Sequence, residues 1–259
     1  MLTECHPIMR PVTAEIVYRI YSSILRKTKH PGIGDPLNIY SVDLDSVTHI
    51  APGTQRGFIH GGDWDISNNT KIEDWFRYTM FHKHFIDGKP WEEIEEYKSL
   101  EETLEQKGEI GTLDMKKGEQ SKNSLFRYHR YIDDLYDNIK ADGYKKQRDL
   151  DRTDDFCNRN IHPSLNEIQV KIGRDGSIMP HTGYHRLAIA KILDIDSIPV
   201  RTSVRHTEWQ SIRDTIYSSC DINKLNTREK EHVQHPELDD ISVTSETTDG
   251  AMKISNIYD

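Results

Sequence analysis

The sequence of 259 residues predicts an α+β fold, because residues 166–209 combine strand-like and helix-like patterns in close succession. Residues 167–172 alternate polar and apolar side chains, which is typical of a strand. Residues 173–176 carry the Asp-Gly signature of a hairpin turn, so a second short strand is expected at 177–179. The apolar run of good helix formers at 187–193 then predicts a helix.

A further strand is predicted at 198–205, where apolar and polar residues alternate. This alternation buries the apolar residues and places Arg201 and Arg205 together on the opposite face. Strands 167–172 and 198–205 are expected to join one sheet.

The segment before this region predicts a docking helix followed by the first strand of the core. Apolar residues recur at helical spacing over residues 12–29, and Pro31 and Gly32 then end the helix. We assign residues 1–36 to this docking segment. Residues 37–50 alternate as a pair of strands.

Helices predominate in the middle of the sequence. Segments 72–85 and 91–107 are rich in aromatic and charged residues and predict two helices within an insertion at about 66–124. A longer helix is predicted at 125–141, ended by Gly143. Residues 148–165 are interpreted as a solvated connection.

The C-terminal part predicts two helices and a disordered tail. A helix is expected at 208–220 and a weaker one, broken at Pro236, at 223–241. Residues 242–259 are rich in Ser, Thr and Asp and are expected to be disordered. The predicted domains are therefore a core at 37–206 containing the insertion, C-terminal helices at 207–241, and the tail.

Composition narrows the class of protein. The formal net charge is −9, which argues against the basic footprint of a duplex-DNA-binding protein. No run of about 20 apolar residues is present, and residues 1–10 lack the apolar core of a secretory signal, so a cytoplasmic protein without membrane partners is expected. Three widely spaced cysteines predict reduced thiols, without a zinc ribbon or disulfide framework.

The glycine at position 183 is predicted to stand where a helix begins. The first turn of a helix presents unpaired N–H groups and a positive dipole end, and glycine lets an anion approach the backbone. Arg186 would add a bidentate cation. The alternative interpretation is a loop whose glycine only turns the chain and whose arginine caps a surface.

The features of this region come in the order strand, Asp-Gly turn, Gly-x-x-Arg at a helix start, Ala-rich helix and Ile-Pro-Val strand. This order resembles the ParB/sulfiredoxin superfamily, including ParB-like nuclease domains. In sulfiredoxins the loop reads Gly-Cys-His-Arg, and Gly183, His185 and Arg186 match it. Tyr184 stands where that branch has its cysteine nucleophile, so sulfinic-acid reduction is not expected.

The resemblance implies a nucleotide-binding protein, with ATP or CTP and Mg²⁺ as cofactors. Phosphoryl transfer to a small hydroxyl-bearing substrate, or hydrolysis, would be its chemistry. Residues 139–147 resemble the helix end and glycine turn that precede the nucleotide-facing strand in ParB. The implied nucleotide-binding residues are Thr182, Gly183, Tyr184, His185, Arg186, Lys146 and Gln147.

Candidate catalytic residues come from the glycine loop and from a second cluster. His185 is a candidate base, although bracing the loop is an equal alternative. Asp63 and Asp65 follow Gly61-Gly62 and would share a face of an extended segment, as Mg²⁺ or a substrate hydroxyl needs, or they would be solvated turn residues. The histidine spacings match no metal motif, so no metal site built from protein ligands is predicted.

Two other function classes stay open. The first is a ParB-like DNA-binding or nuclease module, which the acidic balance and the lack of a helix-turn-helix pattern after the core disfavour. The second is a non-catalytic switch in which nucleotide binding closes the loop, because a switch and an enzyme need the same phosphate loop.

Overall fold

The computed structural model describes residues 10–51, 53, 57–66, 69–110, 121–150, 163–245 and 252–253. Within these ranges the chain is α+β, with a mixed sheet and seven α-helices, which confirms the predicted fold class. The chain divides into two units. Unit 1 comprises Met1–Asn69, Lys146–Gly183 and Ser197–Asp259, and unit 2 comprises Thr70–Lys145 and Tyr184–Asp196.

The helices and strands follow in chain order. The helices are α1 (Arg10–Thr28), α2 (Phe76–Phe85), α3 (Glu95–Lys107), α4 (Lys122–Asp142), α5 (Tyr184–Ile192), α6 (Thr207–Ser219) and α7 (Thr227–His232). The strands are β1 (Tyr40–Asp43), β2 (His49–Ile50), β3 (Ile59–His60), β4 (Thr70–Lys71), β5 (Ile168–Ile172), β6 (Ile178–Thr182), β7 (Ser197–His206), β8 (Thr244–Ser245) and β9 (Met252–Lys253). No helix of the described ranges is long and apolar enough to cross a membrane.

The main sheet lies in unit 1 and has the order β1-β7-β5-β6, with β3 also paired to β7. Strand β7 runs parallel to β5 and β3 and antiparallel to β1. Strands β5 and β6 form the predicted hairpin, closed by Gly176, whose N–H donates to the Gly173 carbonyl. The predicted strands β5 and β7 are therefore confirmed as members of one sheet. The expected pair of strands at 37–50 is corrected, because β1 pairs with β7.

A register shift changes the alternation along β7. Val170 is opposite Thr202 and Lys171 is opposite Val204, so Ser203 is an extra residue on β7. Because one extra residue reverses the parity of the following side chains, Arg201 and Arg205 line different cavities. The prediction that both arginines share one face was wrong, and both side chains are buried.

Buried charges near the end of β7 form a cluster around Glu237. Arg205 Nε donates to Glu237 Oε1 over 2.7 Å, and Trp209 Nε1 donates to Oε2 over 2.9 Å. Arg213 lies 3.2 Å from Oε2 and also pairs with Asp240. Burial would raise the pKa of Glu237, but Arg205 and Arg213 lower it to about 2. This carboxylate therefore stays charged in the interior.

Unit 2 has its own hydrophobic core, built from α2, α3, α4 and α5. Phe81 and Ile132 are fully buried in it, and the ring of Phe85 stacks on Tyr136 at 3.9 Å between centroids. Helix α4 is followed by Gly143, which has a φ of 74°, so the prediction that this glycine ends the helix is confirmed. The helices expected as an insertion thus belong to the same unit as α4 and α5.

Helix α1 exposes much of its apolar stripe. The ring centres of Tyr18 and Tyr21 each lie 5.3 Å from that of Phe58, so this face of α1 packs on the residue that directly precedes β3. The remaining apolar side chains of the stripe are about half exposed, namely Ile16, Val17, Ile20 and Ile24.

The expected disorder of the tail is corrected for its described part. Strands β8 and β9 pair as a short antiparallel ribbon. Residues 246–251 and 254–259, on which the rest of that prediction falls, lie outside the described residues.

Candidate functional site

The predicted glycine loop joins β6 to α5. Gly183 adopts a φ of 79°, a left-handed conformation that favours glycine, and α5 begins at the next residue. The prediction that Gly183 precedes a helix is confirmed. Gly183 is the last residue of one unit and Tyr184 the first of the other, so the candidate binding residues divide between them.

His185 is held inside unit 2 by two side chains that the sequence did not single out. Its Nε2 lies within hydrogen-bond distance of Arg77 on α2 and of the Tyr128 hydroxyl on α4, which share its one lone pair, and its ring lies 6.0 Å from that of Phe81. Burial lowers the pKa of His185 well below its usual range, and the positive charges of Arg77 and Arg186 lower it further. A neutral ring whose one Nε2 lone pair is already engaged by neighbouring donors braces the loop and is poorly placed to act as a base.

Two arginines of unit 2 stand at the first turn of α5. Arg186 Nη1 donates to the hydroxyl of Tyr144 over 3.3 Å, and Arg77 lies 5.7 Å from the ring centre of Trp75. Arg77 makes no ion pair within the described residues. Together with the helix N-terminus, these guanidinium groups create a positive potential that suits an anion.

The candidate residues of unit 1 have different surroundings. The Gln147 backbone N–H donates to Glu167 Oε1 over 2.6 Å, and its side-chain oxygen accepts from Asn166 over 3.1 Å. Gln147 is therefore an anchor of the connection before β5. Lys146 is exposed, and Thr182 is exposed at the end of β6.

The carboxylates of Asp63 and Asp65 both bind Arg174, which lies in the β5–β6 turn. Asp65 accepts from the backbone N–H of Arg174 over 2.7 Å and from its Nη2 over 2.8 Å, and only 1% of the Asp65 side chain is exposed. Asp63 accepts from Nη2 over 2.7 Å but is 71% exposed. Burial would raise the pKa of Asp65, and the hydrogen bonds from Arg174 lower it overall. The pair connects this loop to the hairpin, which favours the turn interpretation over a catalytic one.

The two aspartates make a matched pair for a stability test. Asp65→Asn is expected to lower the free energy of unfolding by about 1–3 kcal/mol, because it weakens buried, charge-assisted hydrogen bonds. Asp63→Asn should cost less than about 1 kcal/mol, because its ion pair is solvated. Urea unfolding of both variants measures the difference. Equal losses would contradict the structural role of Asp65.

Arg77 and Tyr128 were missed because nothing local in the sequence marks them. They lie 108 and 57 residues before His185 in the chain, and only the packing of α2 and α4 on α5 brings them together. No group of three or more metal-ligating side chains occurs within the ranges that the structure describes.

Comparisons of the chain with models of protein families, with curated proteins and with solved structures found no match. The ParB/sulfiredoxin resemblance therefore stays a prediction that rests on Gly183, His185, Arg186 and the strands on either side of them.

Proposed function

We propose that the protein binds the phosphates of a nucleotide at the start of α5, within a ParB/sulfiredoxin-like fold. The observation that carries the proposal is the pair of arginines there. Arg77 and Arg186 both lower the pKa of His185, and no carboxylate of the described residues pairs with Arg77. A phosphate group would balance the charge of Arg77 and accept hydrogen bonds from guanidinium groups.

The local backbone supports the same proposal. Gly183 has a φ of 79° and directly precedes α5. Because glycine has no side chain, nothing at this position screens the first N–H groups of the helix. The order of hairpin, glycine, helix and strand also supports the fold assignment. ATP or CTP with Mg²⁺ are the proposed ligands, the metal being held mainly by the phosphates.

The surroundings of the candidate bases favour a nucleotide-gated switch over phosphoryl transfer. The one lone pair of His185 Nε2 is shared by Arg77 and Tyr128, and the Asp65 carboxylate accepts from Arg174. These groups would have to break existing contacts before they could accept a proton from water or a substrate hydroxyl. Phosphoryl transfer or hydrolysis is the second candidate function, because the same loop would orient a γ-phosphate.

A thermal-shift screen of ATP, ADP, CTP and GTP with Mg²⁺ tests the proposal. A ligand present at 100 times its dissociation constant stabilises the folded state by about 2.7 kcal/mol. For a chain of this size the melting temperature should rise by about 5–10 °C. If no nucleotide at millimolar concentration shifts the melting temperature, the proposed function is wrong. Phosphorus NMR of the same samples separates the two candidates, since only phosphoryl chemistry consumes the nucleotide.

A further inference from the structure

A separate cavity of about 320 Å³ lies within unit 1, on one face of the main sheet. Its polar wall consists of Gln169, His181, Arg201 and Ser203 from β5, β6 and β7. Tyr18 and Phe58 form an aromatic wall, with their ring centres 5.3 Å apart. This size and this combination of apolar and polar walls are typical of small-molecule sites.

Arg201 is a buried cation that no acidic side chain of the described residues balances. Its side chain is 3% exposed, and its one hydrogen bond to the described residues runs from Nη1 to the Pro36 carbonyl over 2.9 Å. Its Nε is buried and has no hydrogen-bond partner in the part of the chain that the structure describes. The guanidinium carbon lies 5.9 Å from the ring centre of Tyr18, which stabilises the charge only weakly. A buried charge of this kind is costly unless an anion pairs with it.

The other ionisable side chains near this wall, His181 and Lys171, are also basic. Burial lowers the pKa of His181 to about 4, and the positive charges of Lys171 and Arg201 add to that effect. Burial likewise lowers the pKa of Arg201, and Arg205 adds to it. No acidic side chain lines the cavity within the described residues. At neutral pH the lining therefore carries one net positive charge, that of Arg201.

The hydrogen-bond directions define a second recognition group. The Ser203 hydroxyl donates to the Val170 carbonyl over 2.9 Å, so its oxygen accepts from His181 Nδ1 over 2.8 Å. In this tautomer Nε2 of His181 is an acceptor. The site can thus recognise both an anionic group and a hydrogen-bond donor.

We propose that this cavity binds a small organic monocarboxylate, with the carboxylate against Arg201 and an apolar part against Tyr18 and Phe58. A single arginine matches the charge of a carboxylate, and a guanidinium group forms charge-assisted hydrogen bonds with it. A hydroxyl or amino group on the same molecule would donate to His181 Nε2. This site does not depend on the nucleotide proposed for α5.

The test compares benzoate with benzamide, which has the same shape without the charge. Saturation-transfer NMR at pH 7 should show that benzoate binds the wild type at least tenfold more tightly than benzamide. Gln169→Glu supplies a carboxylate of nearly the same size, and residue 169 is the Cα partner of Arg201 across β5 and β7. This variant should bind benzoate at least tenfold more weakly than the wild type. The matched control Gln106→Glu, at an exposed position of α3, should bind benzoate normally.

Two results would overturn the proposal. One is the failure of benzoate to bind more tightly than benzamide, whether both bind equally or neither binds at a concentration of about 10 mM. The other is a folded Gln169→Glu variant that binds benzoate as tightly as the wild type. The comparison of the two probes needs only the wild type, so it remains decisive if the variant fails to fold. Arg186→Ala should leave benzoate binding unchanged, which separates this cavity from the arginines at α5.

Discussion

Glu237→Gln is expected to lower the free energy of unfolding by about 3–5 kcal/mol, the cost of removing one partner from a buried ion pair. Glu237 is 3% exposed and accepts from Arg205 and from Trp209. The amide keeps the shape of the side chain but leaves Arg205 in the interior without a counter-charge. Arg213 loses one of its two acidic partners and keeps Asp240.

The same carboxylate predicts an acid sensitivity. Burial opposes ionisation of Glu237, but Arg205 and Arg213 lower its pKa from the ordinary 4.5 to about 2. A depressed folded-state pKa stabilises the protein above the unfolded-state value, and that stability disappears as the pH falls through the folded-state pKa. The wild type should therefore lose about 3 kcal/mol between about pH 5 and pH 2 through this group.

Guanidinium chloride unfolding at pH 7 and at pH 3 measures both effects. Glu237→Gln should be much less stable than the wild type at pH 7, and the difference should shrink at pH 3. Glu231→Gln, at an exposed position of α7, is the matched control and should change stability by less than about 0.5 kcal/mol. If Glu237→Gln were as stable as its control at pH 7, the cluster would not stabilise unit 1 in the way described.

Arg186→Ala is expected to weaken nucleotide binding by roughly ten- to a hundredfold. Charge-assisted hydrogen bonds from a guanidinium to a phosphate are worth about 1.5–3 kcal/mol, and each 1.4 kcal/mol is a factor of ten in affinity. In the free protein Arg186 Nη1 donates to the Tyr144 hydroxyl over 3.3 Å. Arg186→Lys should lose less than alanine, because it keeps the charge and loses only the bidentate geometry.

Titration calorimetry with the nucleotide found in the thermal-shift screen measures this loss. Arg127→Ala removes an exposed arginine of α4 and should bind as the wild type does. Arg77→Ala is a further test, since it removes the second cation from the first turn of α5 and should also weaken binding. If the wild type and Arg186→Ala bind the nucleotide with equal affinity, Arg186 only caps the surface and the proposed phosphate site at α5 is wrong.

Local sequence patterns were sufficient for most elements of the fold. The strands β5 and β7, the Asp-Gly turn between β5 and β6, and the glycines that precede α5 and follow α4 were predicted correctly, although the alternation along β7 was not. Each of these features depends on side-chain periods of two or 3.6 residues and on the backbone freedom of glycine, which act over a few positions.

Sequence alone therefore determined the strands β5, β6 and β7 and the longer helices, and it placed Gly183 and Arg186 at the start of a helix. Only the tertiary structure decided which distant side chains pair with each other. The pairing of Arg174 with Asp65 spans 109 residues, and that of Arg77 with His185 spans 108. The extra residue Ser203, visible only in the pairing of β7 with β5, moved Arg201 and Arg205 into different cavities. Such contacts depend on how distant segments pack and on the register of their strands, and no local pattern of residues encodes either one.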